Sequence, residues 1–198
     1  MKTTIKTLIA FIFTISISCS KNGMTPPASV KDQSSFVKNQ LMEKILSFSI
    51  GQHYQGGIIF YIDNTGQHGL IAATEDIGLI QWVENRAYVV TGATDSAIGT
   101  GNSNTNKIVN AQGKPVDYAA HKCKKYSSGG YTNWFLPSKD ELNELYKQKN
   151  VVGNFTTNHY WSSTEVSRTF ASSQSFKNGN FDPGNKNNAF SVRPIHNF

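Results

Sequence analysis

Six carboxylates, Asp63, Glu75, Asp76, Glu84, Asp95 and Asp182, are spread along the chain and could in principle supply the acid and base pair of a glycoside hydrolase. That chemistry needs two of them at a defined separation across the fold, which spacing along the chain does not provide. The serines of Ser162–Ser163 stand in a strand-like run without the Gly-x-Ser-x-Gly turn that exposes a nucleophile. The five histidines, His53, His68, His121, His159 and His196, form no His-x-x-x-His pair and no Cys/His cluster of zinc spacing, so each reads as a surface or structural residue. Asn102, Asn104 and Asn106 alternate like the first ligands of a calcium loop. Lys107 stands where that loop requires glycine, and no glutamate follows at its twelfth position. No enzyme activity, metal or cofactor is therefore expected.

Binding fits the remaining polar residues better. Thr91 to Asn106 and Asn178 to Asn188 are rich in Asn, Gly, Ser and Thr and read as two long loops. Loops held by a rigid scaffold commonly carry ligand contacts. Asp95, Asn102, Asn104, Asn106, Asn180, Asp182 and Asn185 are the candidate ligand-binding residues on that ground, with the two loops expected side by side. Trp82, Trp134 and Trp161 could offer faces for sugar rings. Trp134, beside Leu136 and Pro137, and Trp161, in an alternating strand, read instead as core, and Trp82 fits either role.

The amino terminus sets the compartment. Lys2 and Lys6 precede an apolar run from Thr7 to Ile17, which is shorter than a membrane-spanning helix and reads as an export signal over residues 1–18. Ser16-Ile17-Ser18-Cys19 resembles a bacterial lipobox, with serine in place of the usual leucine, and implies lipidation of Cys19. An ordinary signal peptide cut nearby is the alternative. The linker 19–50 is polar up to about Ser35, with Phe36, Val37, Leu41, Ile45 and Phe48 at the spacing of a short amphipathic helix. If Cys19 is acylated, Cys123 has no disulfide partner. Its spacing with Val116, Ala119 and Ala120 behind Pro115 puts it on the buried face of a helix from Pro115 to Tyr126.

The chain has 19 basic and 13 acidic side chains and a formal net charge of +6. Two of the lysines leave with the signal, so the mature chain is mildly basic. That charge favours acidic ligands at most, and an exported protein is a poor partner for nucleic acid.

Residues 51–198 are enough for one domain. A hairpin is expected from Gly56–Ile62 and Gly69–Ala73 around Asp63-Asn64-Thr65-Gly66. Strands are expected again at Tyr160–Thr164, Ala171–Phe176 and Ala189–Ile195. Ser138 and Glu141 have the three-residue spacing of a capping box, and Leu142, Leu145 and Tyr146 continue one helical face, giving a helix from about Lys139 to Lys149. Strands flanking a helical middle make the class α+β, with short antiparallel strands and two main helices.

Gly129–Leu142 with Trp134-Phe135-Leu136-Pro137, Tyr160–Thr164, and Ser191-Val192-Arg193-Pro194-Ile195 together resemble the Lcl C-terminal domain family, named for the end of a bacterial collagen-like adhesin. Gly57–Tyr61 and Ile98–Asn102 fit the same pattern, so the resemblance covers about Gly51 to Ile195. Phe135 stands where the family usually has arginine. The resemblance implies a C-type lectin-like fold, shared with formylglycine-generating enzymes, and an exported domain without established catalysis. A membrane contact through the lipid and a glycan or envelope protein as ligand follow as expectations. The alternative is a structural or assembly subunit of an envelope complex. Localisation is expected in the cell envelope, at the outer membrane. Arg193 is expected to close the last strand with a hydrogen bond.

Overall fold

Ile58 and Phe60 point to one side of the first long strand and Ile59 to the other, and both sides are buried. A strand with both faces covered reads as a continuous apolar run, and Gly57-Ile58-Ile59-Phe60-Tyr61-Ile62 is one. In the computed structural model, which describes residues 35–38, 47–84, 88–113 and 117–198, β1 (His53–Tyr54), β2 (Gly57–Ile62) and β3 (Gly69–Ala72) form an antiparallel set. The expected hairpin is present. Its turn is fixed by Asp63, whose Oδ1 accepts from the Thr65 amide at 3.0 Å and the Thr65 hydroxyl at 2.6 Å, followed by Gly66 at φ 72°. The chain end, β9 (Ile195–Asn197), completes this four-stranded sheet beside β3.

A second sheet has five strands in the order β4 (Leu79–Gln81), β8 (Ala189–Ser191), β5 (His159–Glu165), β6 (Phe170–Ser175), β7 (Phe181–Asn185). Its pairings are antiparallel except β5 with β8, which is parallel at Tyr160 and Ser191. Among the described residues, four helices lie between β4 and β5 in sequence: α1 (Gly101–Gln112), α2 (Ala119–Lys125), α3 (Lys139–Lys147) and α4 (Lys149–Val152). The class is mixed α+β.

Three expectations are corrected. The segment read as one loop from Thr91 to Asn106 turns helical at Gly101, so Asn102, Asn104 and Asn106 are helical residues. Phe181–Asn185, read as loop, is an edge strand. The helix carrying Cys123 begins at Ala119, with Asp117 and Tyr118 non-helical; Pro115 and Val116 lie outside the described residues. Cys123 is buried as expected, and burial pushes its thiol well above the ordinary range, which makes it inert.

Residues 45–198 form one unit and Met1–Lys44 another. Residues 35–38 are helical and exposed. Phe48 is not helical; it packs in its own unit against Tyr54 and Phe198, with ring centroids 5.0 and 4.6 Å away. The signal, Cys19, Leu41 and Ile45 lie outside the described residues.

All three tryptophans are fully buried, which places Trp82 in the core with the other two and removes them as a sugar platform. Each indole N–H donates to a carbonyl at 2.9 Å: Trp82 to Ser162, Trp134 to Tyr131, Trp161 to Ile80. Phe135 is also buried and pairs through its backbone with Ile195.

The capping box of α3 is complete. Ser138 Oγ accepts from the Glu141 amide at 3.3 Å, and Glu141 Oε2 accepts from the Ser138 amide at 2.7 Å. Glu141 does more than cap, because its Oε1 accepts from the Gly99 amide at 2.8 Å and the Gly101 amide at 3.5 Å. The loop before α1 is thus pinned to the start of α3. Burial pushes the Glu141 carboxyl up, and the amide donors only partly offset it. Ser138→Ala is expected to cost about 1–2 kcal/mol in a urea melt, because Ser138 Oγ also donates to Ala97 O at 2.9 Å.

Candidate functional site

The turn at Asp63, the pinned Ile98–Gly99 loop and the end of β9 meet around a cavity of about 350 Å3. Ile98 and Phe198 give it carbon surface beside the buried Leu70, while Tyr61, Asp63, His68 and Asn197 bring polar groups. Each wall is held from behind. Asp63 is tied by Thr65, and Gly99 by Glu141. Phe198 exchanges backbone hydrogen bonds with Gly69 at 3.2 and 3.3 Å and leans on Phe48 and Tyr54. Gly69 is required there, since a Cβ would come within 2.6 Å of the Phe198 ring.

The polar groups facing this cavity are largely unspoken for. Among the described residues, the Tyr61 hydroxyl, the His68 ring and the Asn197 carboxamide make no hydrogen bond, and Asp63 is engaged through Oδ1. The Thr65 hydroxyl holds the Asp63 carboxyl below the usual range, so it is ionised at neutral pH.

Two other cavities differ. One of about 390 Å3 is lined by Lys149, Asn154 and Thr156. Lys149 Nζ there donates to Phe176 O at 2.8 Å, and the Thr156 amide to Tyr160 Oη at 2.9 Å. The other, of about 470 Å3, carries the Asp117–Lys122 ion pair at 3.0 Å.

None of the residues expected to bind ligand lines the cavity beside Asp63. Asp95 is exposed and pairs with Lys107 at 2.8 Å, while its carbonyl accepts from Thr164 Oγ1 and from Asn104 Nδ2. Asn104 is fully buried, with Oδ1 unpartnered, so it is a packing residue of α1. Asn102 and Asn106 touch each other at 3.5 Å. Asn180 is exposed and its amide donates to Asn178 Oδ1. Asp182 lies 3.4 Å from His159, and Asn185 accepts from the Tyr88 hydroxyl at 2.8 Å. Glu165, which sequence reasoning did not single out, bridges the two segments at a buried place: it accepts from the Thr91 and Gly92 amides and pairs with Lys186.

Asp76, one of the six candidate carboxylates, is engaged by Arg193 Nε at 2.7 Å and the Tyr160 hydroxyl at 2.6 Å. Among the described residues no three His, Cys, Asp or Glu side chains converge as metal ligands.

His196 is fully buried between Tyr131 and Trp134, and both ring nitrogens face carbonyls, Nδ1 that of Asn197 at 2.8 Å and Nε2 that of Gln55 at 3.2 Å. Burial pushes its pKa below the ordinary 6.5, and the two carbonyls only partly offset this. The neutral ring is therefore the folded form. Its contribution to stability is complete above pH 6.5 and is lost as pH falls from there through the folded pKa, because the unfolded chain takes the proton first. Urea melts between pH 8 and 5 are expected to show this loss, with a slope of at most about 1.4 kcal/mol per pH unit, and His196→Gln is expected to remove that slope.

A family model described as the Lcl C-terminal domain matches residues 78–196. No curated protein matches significantly. Among solved structures, a fimbrial protein from Bacteroides ovatus ATCC 8483 aligns at a TM-score of 0.48 and 14% identity, over 75% of this chain and 48% of that protein. The chain thus spans about half the length of that solved protein.

Proposed function

Because the chain belongs to the Lcl C-terminal domain family, we propose that it is a cell-envelope lipoprotein whose domain is a noncatalytic binding or adhesion module for a glycan or a surface protein. The observation that carries this reading is the cavity between Asp63, Ile98 and Phe198, with carbon surface and hydrogen-bonding side chains that the fold does not use. The buried acidic groups support it from the other side. Glu141 and Glu165 accept from backbone amides, and Asp76 is held by Arg193 and Tyr160. Carboxylates engaged in this way serve the scaffold rather than proton transfer to a ligand.

Lipidation of Cys19 would place the domain on a tether at the outer membrane, and the C-type lectin-like fold is our reading of the sequence resemblance. The pairing of β9 with β3, which brings both ends of the domain into one sheet, agrees with it. A glycan array and a pull-down from envelope extract, both with the purified full chain, test the binding role. Retention of a glycan or of a surface protein is expected. A blank result in both would overturn it, and one stoichiometric protein partner with a blank array would favour an assembly subunit. Mass spectrometry of the mature terminus is expected to find acylated Cys19; an unmodified peptide spanning it removes the anchor.

A further inference from the structure

We propose that the cavity between the Asp63 turn, Ile98 and Phe198 takes one neutral sugar ring, its carbon face on Ile98 and Phe198 and its hydroxyls on Asp63, His68 and Asn197. The proposal rests on the binding role above and names its ligand class and its site.

Size comes first. A volume of about 350 Å3 lies at the small end of ligand pockets, which run from about 300 to 1,000 Å3. That accommodates one ring with part of a neighbour, not a folded surface. Chemistry narrows it further. A pyranose alternates a carbon face with a rim of hydroxyls, each both donor and acceptor, and the cavity has the complementary division. Asp63 offers acceptors only, Asn197 both a donor and an acceptor, and His68 one of each when neutral. Tyr61 adds an aromatic ring with a free hydroxyl.

Pre-organisation supports the site as built. Asp63 is already fixed by two bonds to Thr65, Phe198 is held against Gly69, Phe48 and Tyr54, and the Ile98–Gly99 wall is pinned by Glu141. A ligand arriving there finds Asp63 and the apolar walls already set and has the His68 and Asn197 side chains left to order, which removes part of the entropic cost of weak polar recognition.

Charge decides between sugars. The net charge of +6 favours acidic glycans for the chain as a whole, yet no Lys or Arg lines this cavity and Asp63 does. An ionised carboxylate at the wall repels uronic or sialic acids and leaves neutral rings as the fitting class.

The test is titration of the full chain with the methyl glycosides of glucose, galactose, mannose and N-acetylglucosamine, with glucuronic acid and glucosamine as charged counterparts. At least one neutral glycoside is expected to bind. The His68→Ala/Asn197→Ala double variant is expected to weaken it tenfold or more while the melting temperature stays within about 2 °C, because both side chains are exposed and unbonded. Asp63→Asn keeps the Oδ1 acceptor for Thr65 and is expected to admit glucuronic acid. Binding of only glucuronic acid or only glucosamine by the unaltered chain would overturn the proposal. A glycan that the double variant holds as tightly overturns this site and leaves the binding role standing. Silence toward every saccharide, with a surface protein captured, overturns the ligand class and again leaves that role.

Discussion

Replacing Arg193 with methionine is expected to lower the stability of the domain by about 3–5 kcal/mol, the range for breaking a buried ion pair from one side. Arg193 is 1% exposed, and its guanidinium serves four acceptors. Nε meets Asp76 Oδ1 at 2.7 Å, Nη1 meets Ala73 O at 3.0 Å and Gly153 O at 3.3 Å, and Nη2 meets Asn154 O at 2.7 Å. Its flat face covers the Phe155 ring at 3.9 Å. Methionine fills much of the volume and leaves Asp76 with only the Tyr160 hydroxyl, while three carbonyls lose their donor. These carbonyls belong to Ala73, just after β3, and to the segment after α4, so the loss unties two regions together. Lysine is expected to recover less than half of the deficit, since a single ammonium cannot reproduce a planar fork. Asp76→Asn should cost less than Arg193→Met, because the guanidinium would keep its three carbonyl acceptors. Urea melts of the three variants check the order, and equal costs would show that Asp76 alone carries the network.

Arg193 also shows what the sequence could and could not say. Its place before Pro194 reads as closing the last strand with a hydrogen bond, whereas its guanidinium bonds Asp76, Ala73, Gly153 and Asn154, none of them on β8 or β9. Its partners Asp76, Gly153 and Asn154 are far away in sequence, and no local pattern joins them. The features that were legible are local in the same sense: the Ser138–Glu141 capping box, the Asp63–Gly66 turn between two apolar runs, and the buried spacing of Ala119, Ala120 and Cys123.

Helix α1 was not legible because its residues argue against it. Gly101-Asn102-Ser103-Asn104-Thr105-Asn106 has poor helix propensity, and its N-cap Thr100 makes no side-chain cap. Tertiary contacts override this. Thr105 Oγ1 exchanges hydrogen bonds with the Leu136 amide and carbonyl at 3.0 and 3.3 Å, and Ile108 and Val109 enter the core. Strand β7 was hidden by Asp182-Pro183-Gly184. Proline is tolerated there because β7 is a sheet edge, and glycine because the Trp161 ring lies against it, where a Cβ would meet ring carbons at 2.6 Å. The cavity was half visible. Its Asp63 turn could be read, but nothing in the sequence brings Ile98, Asn197 and Phe198 to that turn.

Lys186 sits in the Asn- and Gly-rich stretch that read as solvent-exposed loop, and it is the second point where a single change should have a large effect. Its side chain is 0% exposed and that of Glu165 is 2% exposed, with Nζ 2.5 Å from Glu165 Oε1 and 4.3 Å from the Trp82 ring centroid. Lys186→Met is expected to cost about 3–5 kcal/mol, because Glu165 would remain buried with only the Thr91 and Gly92 amides to meet its charge. Adding Glu165→Gln should return most of that loss, leaving the double variant within about 2 kcal/mol of the unaltered chain, since a neutral acceptor still serves both amides. The pH dependence separates this account from simple loss of packing. In the unaltered chain, burial raises the Glu165 carboxyl but Lys186 and the amides outweigh it, so its pKa lies below the ordinary 4.5. That contribution is present above pH 4.5 and disappears as pH falls through the folded pKa. Without Lys186, burial dominates and the folded pKa rises, so Lys186→Met should gain stability on acidification over the range where the unaltered chain loses it. Opposite slopes identify an uncompensated buried carboxylate; parallel slopes would mean that the methionine merely packs badly against Trp82.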